Sequence, residues 1–160
     1  GSEMCIRDRL YGGFTMSMST AKFWAKYAGK PIVLSDNMPF CEALWAMYQD
    51  EATKHGHTVK PGDEAGWGGI MCCAETDEKA HAMMEDMHWF WKQWPIQFGQ
   101  GLPQLLVGSP DTISHQIEHA QAHIPINDCF MLLPQGIHSR DQIMGSLELF
   151  AEKVMPRFAG

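Results

Sequence analysis

The sequence predicts an α/β fold in which parallel strands alternate with helices. Four short apolar runs are separated by longer segments in which apolar side chains recur at helical spacing. The apolar runs are continuous, and this pattern indicates strands that are buried on both faces. Hydrophobic residues make up 45% of the 160 residues and charged residues 19%, so a buried core is expected. Strands of this kind joined by amphipathic helices form parallel sheets, and periodicity alone leaves open whether the sheet is a barrel or doubly wound.

The strands are predicted from apolar runs bounded by turn residues. The third run contains the adjacent Cys72 and Cys73, which would point to opposite faces of one strand. The four predicted strands are residues 10–18, 31–35, 67–74 and 128–134.

One principal helix is predicted after each strand, which gives four strands and four helices in alternation. Ser19 or Thr20 is predicted to cap the first helix, and Thr76 the third. Residues 93–106 contain several Pro and Gly residues and are predicted to be an inserted irregular region, after which Ser109 caps a further helix with Pro110 at its first position. The principal helices are predicted over residues 20–28, 40–54, 76–91 and 141–155.

Charge and cysteine content limit the classes of partner and compartment. The net charge is −7 and neither Lys nor Arg clusters, so nucleic acid and anionic membrane surfaces are not expected as partners. No apolar run approaches the roughly 20 residues that a membrane span needs. The five cysteines form no C-x-x-C pair, which predicts reduced thiols in a cytoplasmic protein. They are Cys5, Cys41, Cys72, Cys73 and Cys129.

Residues 1–9 are expected to be a non-native leader. Gly1 and Ser2 are typical of a cloning scar, and residues 4–9 resemble translated sequencing-adapter sequence. The expected domain is therefore residues 10–160.

Three stretches of the sequence are similar to patterns that occur together in one protein family. They are SMSTAKFWAKYAGKP (residues 17–31), LVGSPDTI (106–113) and SLELFAEKVMPRF (146–158). The first is similar to the pattern W-A-A-x-x-G-x-P, the second to V-G-T-P-E-E-V, and the third to the C-terminal pattern S-L-x-L-F-A-x-x-V-M-P. In residues, order and spacing, the three together resemble the bacterial-luciferase-like family of flavin-dependent monooxygenases.

The resemblance implies a fold and a reaction. The fold would be the C-terminal half of a (β/α)8 TIM barrel, containing its fifth to eighth strands. The reaction would be oxidation of a small organic substrate by O2 and reduced FMN, with the reduced flavin supplied by a separate reductase, in a homodimer or with a subunit partner. The resemblance leaves two alternatives open: a deazaflavin-dependent oxidoreductase of the same fold, and a non-catalytic flavin-binding or subunit protein. Because the first four strands have no counterpart here, no residue is assigned a catalytic role.

Sites in such barrels lie at the C-terminal ends of the strands. On the resemblance, Ser17, Met18, Ser19 and Ser35 are the candidate cofactor-binding residues, since hydroxyls and backbone donors at a helix N-terminus favour the phosphate of a flavin. An alternative interpretation is that these residues only cap helices, as Ser often does after a strand.

A second pattern, H-x-x-E-H, is typical of some zinc peptidases. His115, Glu118 and His119 form it, and His123 extends the row by another turn. Because Ile113 and Ile117 would supply the buried side of the same helix, the histidines are predicted to face solvent, and no metal is assigned. The Met- and Trp-rich residues 83–94 are predicted to be core and loop cover, with lining of an apolar substrate pocket as the alternative.

Overall fold

The structure is a computed structural model that describes residues 11–12, 17–59, 66–87, 106–134 and 136–159. The predicted leader, residues 88–94 of the Met- and Trp-rich segment and residues 93–105 of the predicted irregular region lie outside the described residues, as does Gln135. Among the helices that the structure describes, none is long and apolar enough to cross a membrane. The chain divides into two compact units, one of Gly1–Gly68 with Ala120–Phe130 and one of Gly69–His119 with Met131–Gly160.

The elements alternate along the chain as predicted, with one additional short strand. In chain order they are β1 (Tyr11–Gly12), α1 (Met18–Lys26), β2 (Lys30–Val33), α2 (Met38–Lys54), β3 (Gly66–Cys73), α3 (Asp77–Met84) with a 3-10 turn (Glu85–Met87), β4 (Leu106–Gly108), α4 (Pro110–His123), β5 (Asp128–Leu132), α5 (Arg140–Lys153) and α6 (Met155–Phe158).

The pairs β1–β2, β2–β3 and β3–β4 are parallel, which confirms the predicted α/β class. β1 pairs with β2, with Tyr11 opposite Lys30, and β2 pairs with β3 through Ile32 and Gly66. β4 pairs with the end of β3, where Met71 lies opposite Leu106, and β5 also pairs with β3. All eight residues of β3 are buried. This burial is typical of a strand that is covered on both faces.

The first helix begins earlier than predicted. Met18 is its first residue, rather than the last residue of a strand. Ser17 has an extended backbone (φ −146°, ψ 151°), and its side chain accepts a hydrogen bond from the Thr20 backbone N–H, so Ser17 is the cap and the prediction of Ser19 or Thr20 is wrong. Several hydroxyl residues in succession offer alternative caps, and the backbone conformation selects among them.

Other boundaries also differ from the prediction. β4 was not predicted: its first residue, Leu106, is the last residue of the segment predicted to be irregular, and three residues are too few for a periodic pattern. α5 ends at Lys153, two residues earlier than predicted, and α6 follows. Pro156 explains this break, because it has no N–H to continue the helix and its ring clashes with the preceding turn.

The indole of Trp24 packs over two glycines of the first unit. A Cβ atom at Gly12 or at Gly29 would overlap this ring. The carbonyl of Gly29 also accepts a hydrogen bond from the Tyr48 hydroxyl of α2 (2.8 Å). The tryptophan and glycine of the family-like pattern at residues 17–31 are therefore in direct contact, and α1 is fixed against β1 and β2.

An apolar cluster forms the core of the second unit around the end of β3. Met84 and Met87 are buried in this cluster, and Met83 is partly buried against it. The methionines of residues 83–87 therefore belong to the core, as predicted. The buried members are Ile70, Cys72, Ala74, Ala80, Met84, Met87 and Val107.

Replacing Ala28 with glycine should stabilise the first unit. α1 ends in a Schellman motif: the Gly29 N–H donates to the Trp24 carbonyl (3.0 Å) and the Ala28 N–H to the Ala25 carbonyl (3.2 Å). Ala28 has φ 53°, the left-handed region that glycine adopts without steric cost. We expect Ala28→Gly to raise the free energy of unfolding by roughly 0.5–1 kcal/mol in denaturant titrations. In the control Ala46→Gly, an exposed site within α2, the same exchange should lower it by about 1 kcal/mol.

Replacing Gly68 with alanine should destabilise the protein strongly. A Cβ atom at Gly68 would overlap the backbone carbonyl of Phe130, which cannot move aside as a side chain could. We expect a loss of roughly 3 kcal/mol or more, the upper end of overpacking costs. The matched variant Gly145→Ala lies in α5, where nothing is within 4 Å of the new atom, and it should gain about 1 kcal/mol from helix propensity. Equal unfolding temperatures of the two variants would contradict the close approach of Gly68 to the Phe130 backbone.

Candidate functional site

Three hydroxyl groups meet at the N-terminus of α1. The Ser17 Oγ atom lies 3.0 Å from the Ser19 Oγ and 2.9 Å from the Thr20 Oγ1. It also accepts the Thr20 backbone N–H at 3.3 Å. We call Ser17, Ser19 and Thr20 the hydroxyl cluster; all three side chains are at least partly exposed to solvent.

The electrostatics of this helix end favour an anion. The first turn of an α-helix leaves backbone N–H groups without carbonyl partners, and the helix dipole adds partial positive charge there. The first turn of α1 contains no acidic residue. Met18 contributes a backbone N–H to this turn. The arrangement is therefore able to bind a phosphate through hydroxyl and backbone donors.

Ser35 follows β2 and makes a separate set of contacts. Its Oγ atom accepts the backbone N–H of Asn37 (3.2 Å), and the Asn37 side chain accepts the N–H of Phe40 to cap α2. Ser35 is only partly buried. A hydroxyl that accepts one hydrogen bond still has its own proton to donate, so Ser35 can serve both the turn and a ligand.

The carbonyl of Ser35 is held by two further residues. The Trp67 indole Nε1 donates to it at 2.9 Å, and the Cys41 thiol donates at 3.7 Å. Burial raises the pKa of Cys41 to about 11, so this residue stays a protonated thiol at neutral pH. The turn after β2 is thus fixed by contacts from β3 and from α2.

In the second unit, the end of β3 is held by a buried serine of α5. The Ser146 hydroxyl donates to the Cys73 carbonyl (2.6 Å) and accepts from the Cys73 N–H (2.8 Å). One side chain therefore replaces the two backbone partners that a neighbouring strand would provide. Ser146 begins the third family-like stretch, and this contact gives that position a structural role.

Asp77, in the first turn of α3, binds the start of α4. Its carboxylate accepts the Ser109 backbone N–H (2.6 Å) and the Thr112 hydroxyl (3.0 Å). These hydrogen bonds hold the pKa of Asp77 below its usual range. Ser109 caps α4 as predicted, since its Oγ accepts the Thr112 N–H (3.3 Å). Thr76 caps α3 as predicted, by accepting the Lys79 N–H. These hydroxyls are engaged in helix capping.

The histidine row of α4 faces solvent as predicted. His115, His119 and His123 are exposed, whereas Ile113 and Ile117 are buried. The imidazole of His123 lies 2.7 Å from the carboxylate of Glu42. Within the described ranges, no group of three or more His, Cys, Asp or Glu side chains is placed to hold a metal ion.

The site residues predicted from sequence fall into two contact groups. Ser17, Met18 and Ser19 share the first turn of α1, and Ser35 lies in the turn after β2. Three further residues were not predicted from the sequence: Thr20, which completes the hydroxyl cluster, Trp67 and Ser146. A signal existed for Ser146, because a serine four residues before the buried Phe150 lies on the buried face of its helix. No sequence pattern indicates the Trp67 contact.

The hydrogen bonds between Ser146 and Cys73 should contribute measurably to the free energy of unfolding. Ser146→Ala leaves the buried N–H and C=O of Cys73 without this partner, and we expect a loss of about 2 kcal/mol in the free energy of unfolding. Ser114→Ala is the control, because that buried hydroxyl donates only to the Pro110 carbonyl of its own helix (2.7 Å). Its loss should cost less than about 0.5 kcal/mol. A cost for Ser146→Ala no larger than that of the control would contradict the assignment.

No known protein-family model matches the sequence, and no curated protein does. Solved structures do match its fold. One is the oxygenating constituent of 3,6-diketocamphane monooxygenase from Pseudomonas putida, a type II Baeyer-Villiger monooxygenase in complex with FMN: TM-score 0.74, 21% identity, 92% of this chain and 47% of that chain.

Two further solved structures carry different cofactor descriptions. The coenzyme F420-dependent tetrahydromethanopterin reductase of Methanopyrus kandleri matches with TM-score 0.61 and 16% identity, over 92% of this chain and 50% of that one. Flavoprotein 390 matches with TM-score 0.61 and 15% identity, over 94% of this chain and 67% of that one.

The chain spans about half the length of the first of these solved proteins. At these identities the matches establish the fold. The chain has the α/β fold of part of a luciferase-like TIM barrel, and the resemblance predicted from the three sequence stretches is confirmed at the level of the fold.

Proposed function

We propose that this chain is part of a flavin-dependent monooxygenase that oxidises a small organic substrate with O2 and reduced FMN. The observation that carries the proposal is the fold likeness, at TM-score 0.74, to an oxygenating constituent in complex with FMN. That protein and the F420-dependent reductase, which match the same fold, support an oxidoreductase of the flavin type.

The partners are proposed with the reaction. A separate flavin reductase would supply reduced FMN, since the P. putida protein is described as an oxygenating constituent. Homodimer formation and a cytoplasmic location are also proposed, and the four cysteines among the described residues are all free thiols, as a reducing compartment requires. Because the chain spans about half of the P. putida protein, a second barrel half would complete the substrate pocket.

The residues at the start of α1 fit the phosphate of FMN. The hydroxyl cluster offers O–H donors from Ser17, Ser19 and Thr20, and the helix end adds backbone N–H groups and a favourable dipole. Met18 would contribute its backbone N–H. A dianionic phosphate would bind here without meeting a carboxylate in the first turn of α1.

Ser35 would contact the flavin at the end of the next strand. Its hydroxyl already accepts the Asn37 N–H, so it would act toward the ligand as a donor. Reduced flavin, when bound, supplies the electrons with which O2 is activated for transfer of one oxygen atom to the substrate. The described residues would orient the cofactor.

Two other functions have specific support. The F420-dependent reductase has the same fold, and its likeness favours a deazaflavin-dependent hydride transfer as the second candidate. Flavoprotein 390 is matched over 67% of its length, a larger share than for the two enzymes compared above, and its name favours flavin binding, which also fits the third candidate, a non-catalytic flavin-binding or subunit protein. All three candidates would use the same hydroxyl cluster for a phosphate group.

Titration with FMN, followed by quenching of flavin fluorescence, separates these functions. The 160-residue chain and the full reading frame that contains it should be compared, each with FMN and with a deazaflavin. Saturable FMN binding together with O2 consumption in the presence of a reductase supports the monooxygenase. Binding without turnover supports the third candidate, and binding of the deazaflavin alone supports the second. If neither cofactor binds to either protein, the proposed function is wrong.

Two serine variants test the phosphate site. Ser19→Ala should weaken FMN binding about tenfold, or 1.4 kcal/mol, because a hydrogen bond to a charged phosphate is lost, while the unfolding temperature stays unchanged. Ser17→Ala should weaken binding similarly and also lose about 1 kcal/mol of stability with its cap.

The control for these variants is Ser139→Ala. Ser139 caps α5 in the same way, by accepting the Gln142 N–H (3.3 Å). Its removal should lower stability by about 1 kcal/mol and leave the FMN dissociation constant unchanged. Equal FMN affinities for all three variants and the unmodified protein would show that the serines of α1 only cap the helix.

A further inference from the structure

Trp67 contributes a buried indole N–H to the turn that carries Ser35. Its side chain is 3% exposed, and its Nε1 atom donates to the Ser35 carbonyl at 2.9 Å. Trp67 is the second residue of β3 and pairs in register with Val33 of β2, two residues before Ser35. The indole therefore reaches from the beginning of β3 to the residues that follow β2.

The hydrogen bond from Trp67 holds the Ser35 carbonyl from β3, a strand other than the one that Ser35 follows. The Ser35 carbonyl accepts from Trp67 and from Cys41, and the Ser35 hydroxyl accepts from the Asn37 N–H. The Trp67 bond is the shorter of the two carbonyl contacts, and a thiol is a weak donor. Loss of the indole N–H would thus leave the carbonyl with its weaker partner and allow the turn to rotate.

We propose that Trp67 is a positioning residue of the flavin site, whose indole N–H orients Ser35 so that the Ser35 hydroxyl donates to the bound cofactor. The inference rests on the proposed function and extends it, because Trp67 itself need not touch the flavin. The effect of Trp67 on cofactor binding would pass entirely through the Ser35 hydroxyl.

The chain offers a matched control in a second buried tryptophan. Trp45 of α2 is 4% exposed and packs edge-on against the Tyr48 ring at a centroid distance of 5.4 Å. Its Nε1 atom is buried and has no hydrogen-bond partner among the residues that the structure describes. Replacing either tryptophan with phenylalanine removes comparable packing, but only Trp67→Phe removes a hydrogen bond to the turn after β2.

The test is a double-mutant cycle on cofactor affinity, measured with FMN in the full reading frame beside the unfolding temperature. We expect Trp67→Phe to weaken FMN binding about tenfold, and Trp45→Phe to change it less than about twofold, while both lower the unfolding temperature. Ser35→Ala should also weaken binding about tenfold. In the Ser35→Ala background, Trp67→Phe should produce no further loss, because the hydroxyl that it positions is already absent.

Each outcome decides for or against the proposal. Equal affinities of Trp67→Phe and Trp45→Phe would overturn it, and so would additive losses in the double variant, which indicate general loosening. If Ser35→Ala alone leaves FMN binding intact, Trp67 has no functional hydroxyl to position and the proposal is likewise overturned. If the unmodified protein binds no FMN, the proposed function fails and this inference fails with it. This outcome is distinguishable from the preceding ones, because in those the unmodified protein binds FMN.

A second variant covers the case in which Trp67→Phe does not fold. Site-specific replacement of Trp67 with benzothienylalanine keeps the bicyclic ring and removes only the N–H. The same loss of affinity is expected, with a smaller change in the unfolding temperature. Because the bicyclic ring is kept, core packing is preserved in this variant. An unchanged FMN affinity would therefore overturn the proposal.

Discussion

The complete burial of β3 is the constraint on which the rest of the structure depends. Every residue of this strand is buried, so its backbone N–H and C=O groups must find partners within the protein. In the first unit, β2 pairs with its beginning. In the second unit, β4 pairs with its last residues, and the Ser146 hydroxyl serves both backbone groups of Cys73. Helix α5 therefore contributes more than apolar cover, because one of its side chains replaces part of a strand.

The hydroxyl residues at the strand ends combine two tasks that use different atoms. Ser35 accepts a backbone N–H with an oxygen lone pair and retains its proton to donate. In the hydroxyl cluster, Ser17 accepts the Thr20 N–H, and two contacts between hydroxyls use two of the three hydroxyl protons, so the cluster as a whole retains one to donate. Capping and ligand binding therefore do not exclude each other at these positions. The sequence leaves both interpretations, cap and ligand, open at these positions for the same physical reason, since both tasks favour a short hydroxyl side chain after a strand.

The sequence predicted the elements of the fold better than their ends. Continuous apolar runs identified β2, β3 and β5, and helical spacing identified the helices, because both patterns extend over many residues. The short β4 and the cap at Ser17 depend on backbone angles and on a single side chain, and no periodic pattern reports them. For the site, hydroxyl residues after strands were visible in the sequence, whereas the Trp67 contact joins positions 32 residues apart and needs the fold to be known.

The stacking of Trp24 over Gly12 and Gly29 has a consequence for how this protein can vary. The ring occupies the space that side chains at both glycine positions would need, so none of the three positions can change independently. A larger residue at either glycine requires a smaller one at position 24, and a smaller residue at position 24 opens a cavity that a side chain from β1 could fill. Residues 12, 24 and 29 should therefore co-vary among related sequences. A substitution at one of them would be accompanied by substitutions at the others, which couples the first strand to the helix that follows it.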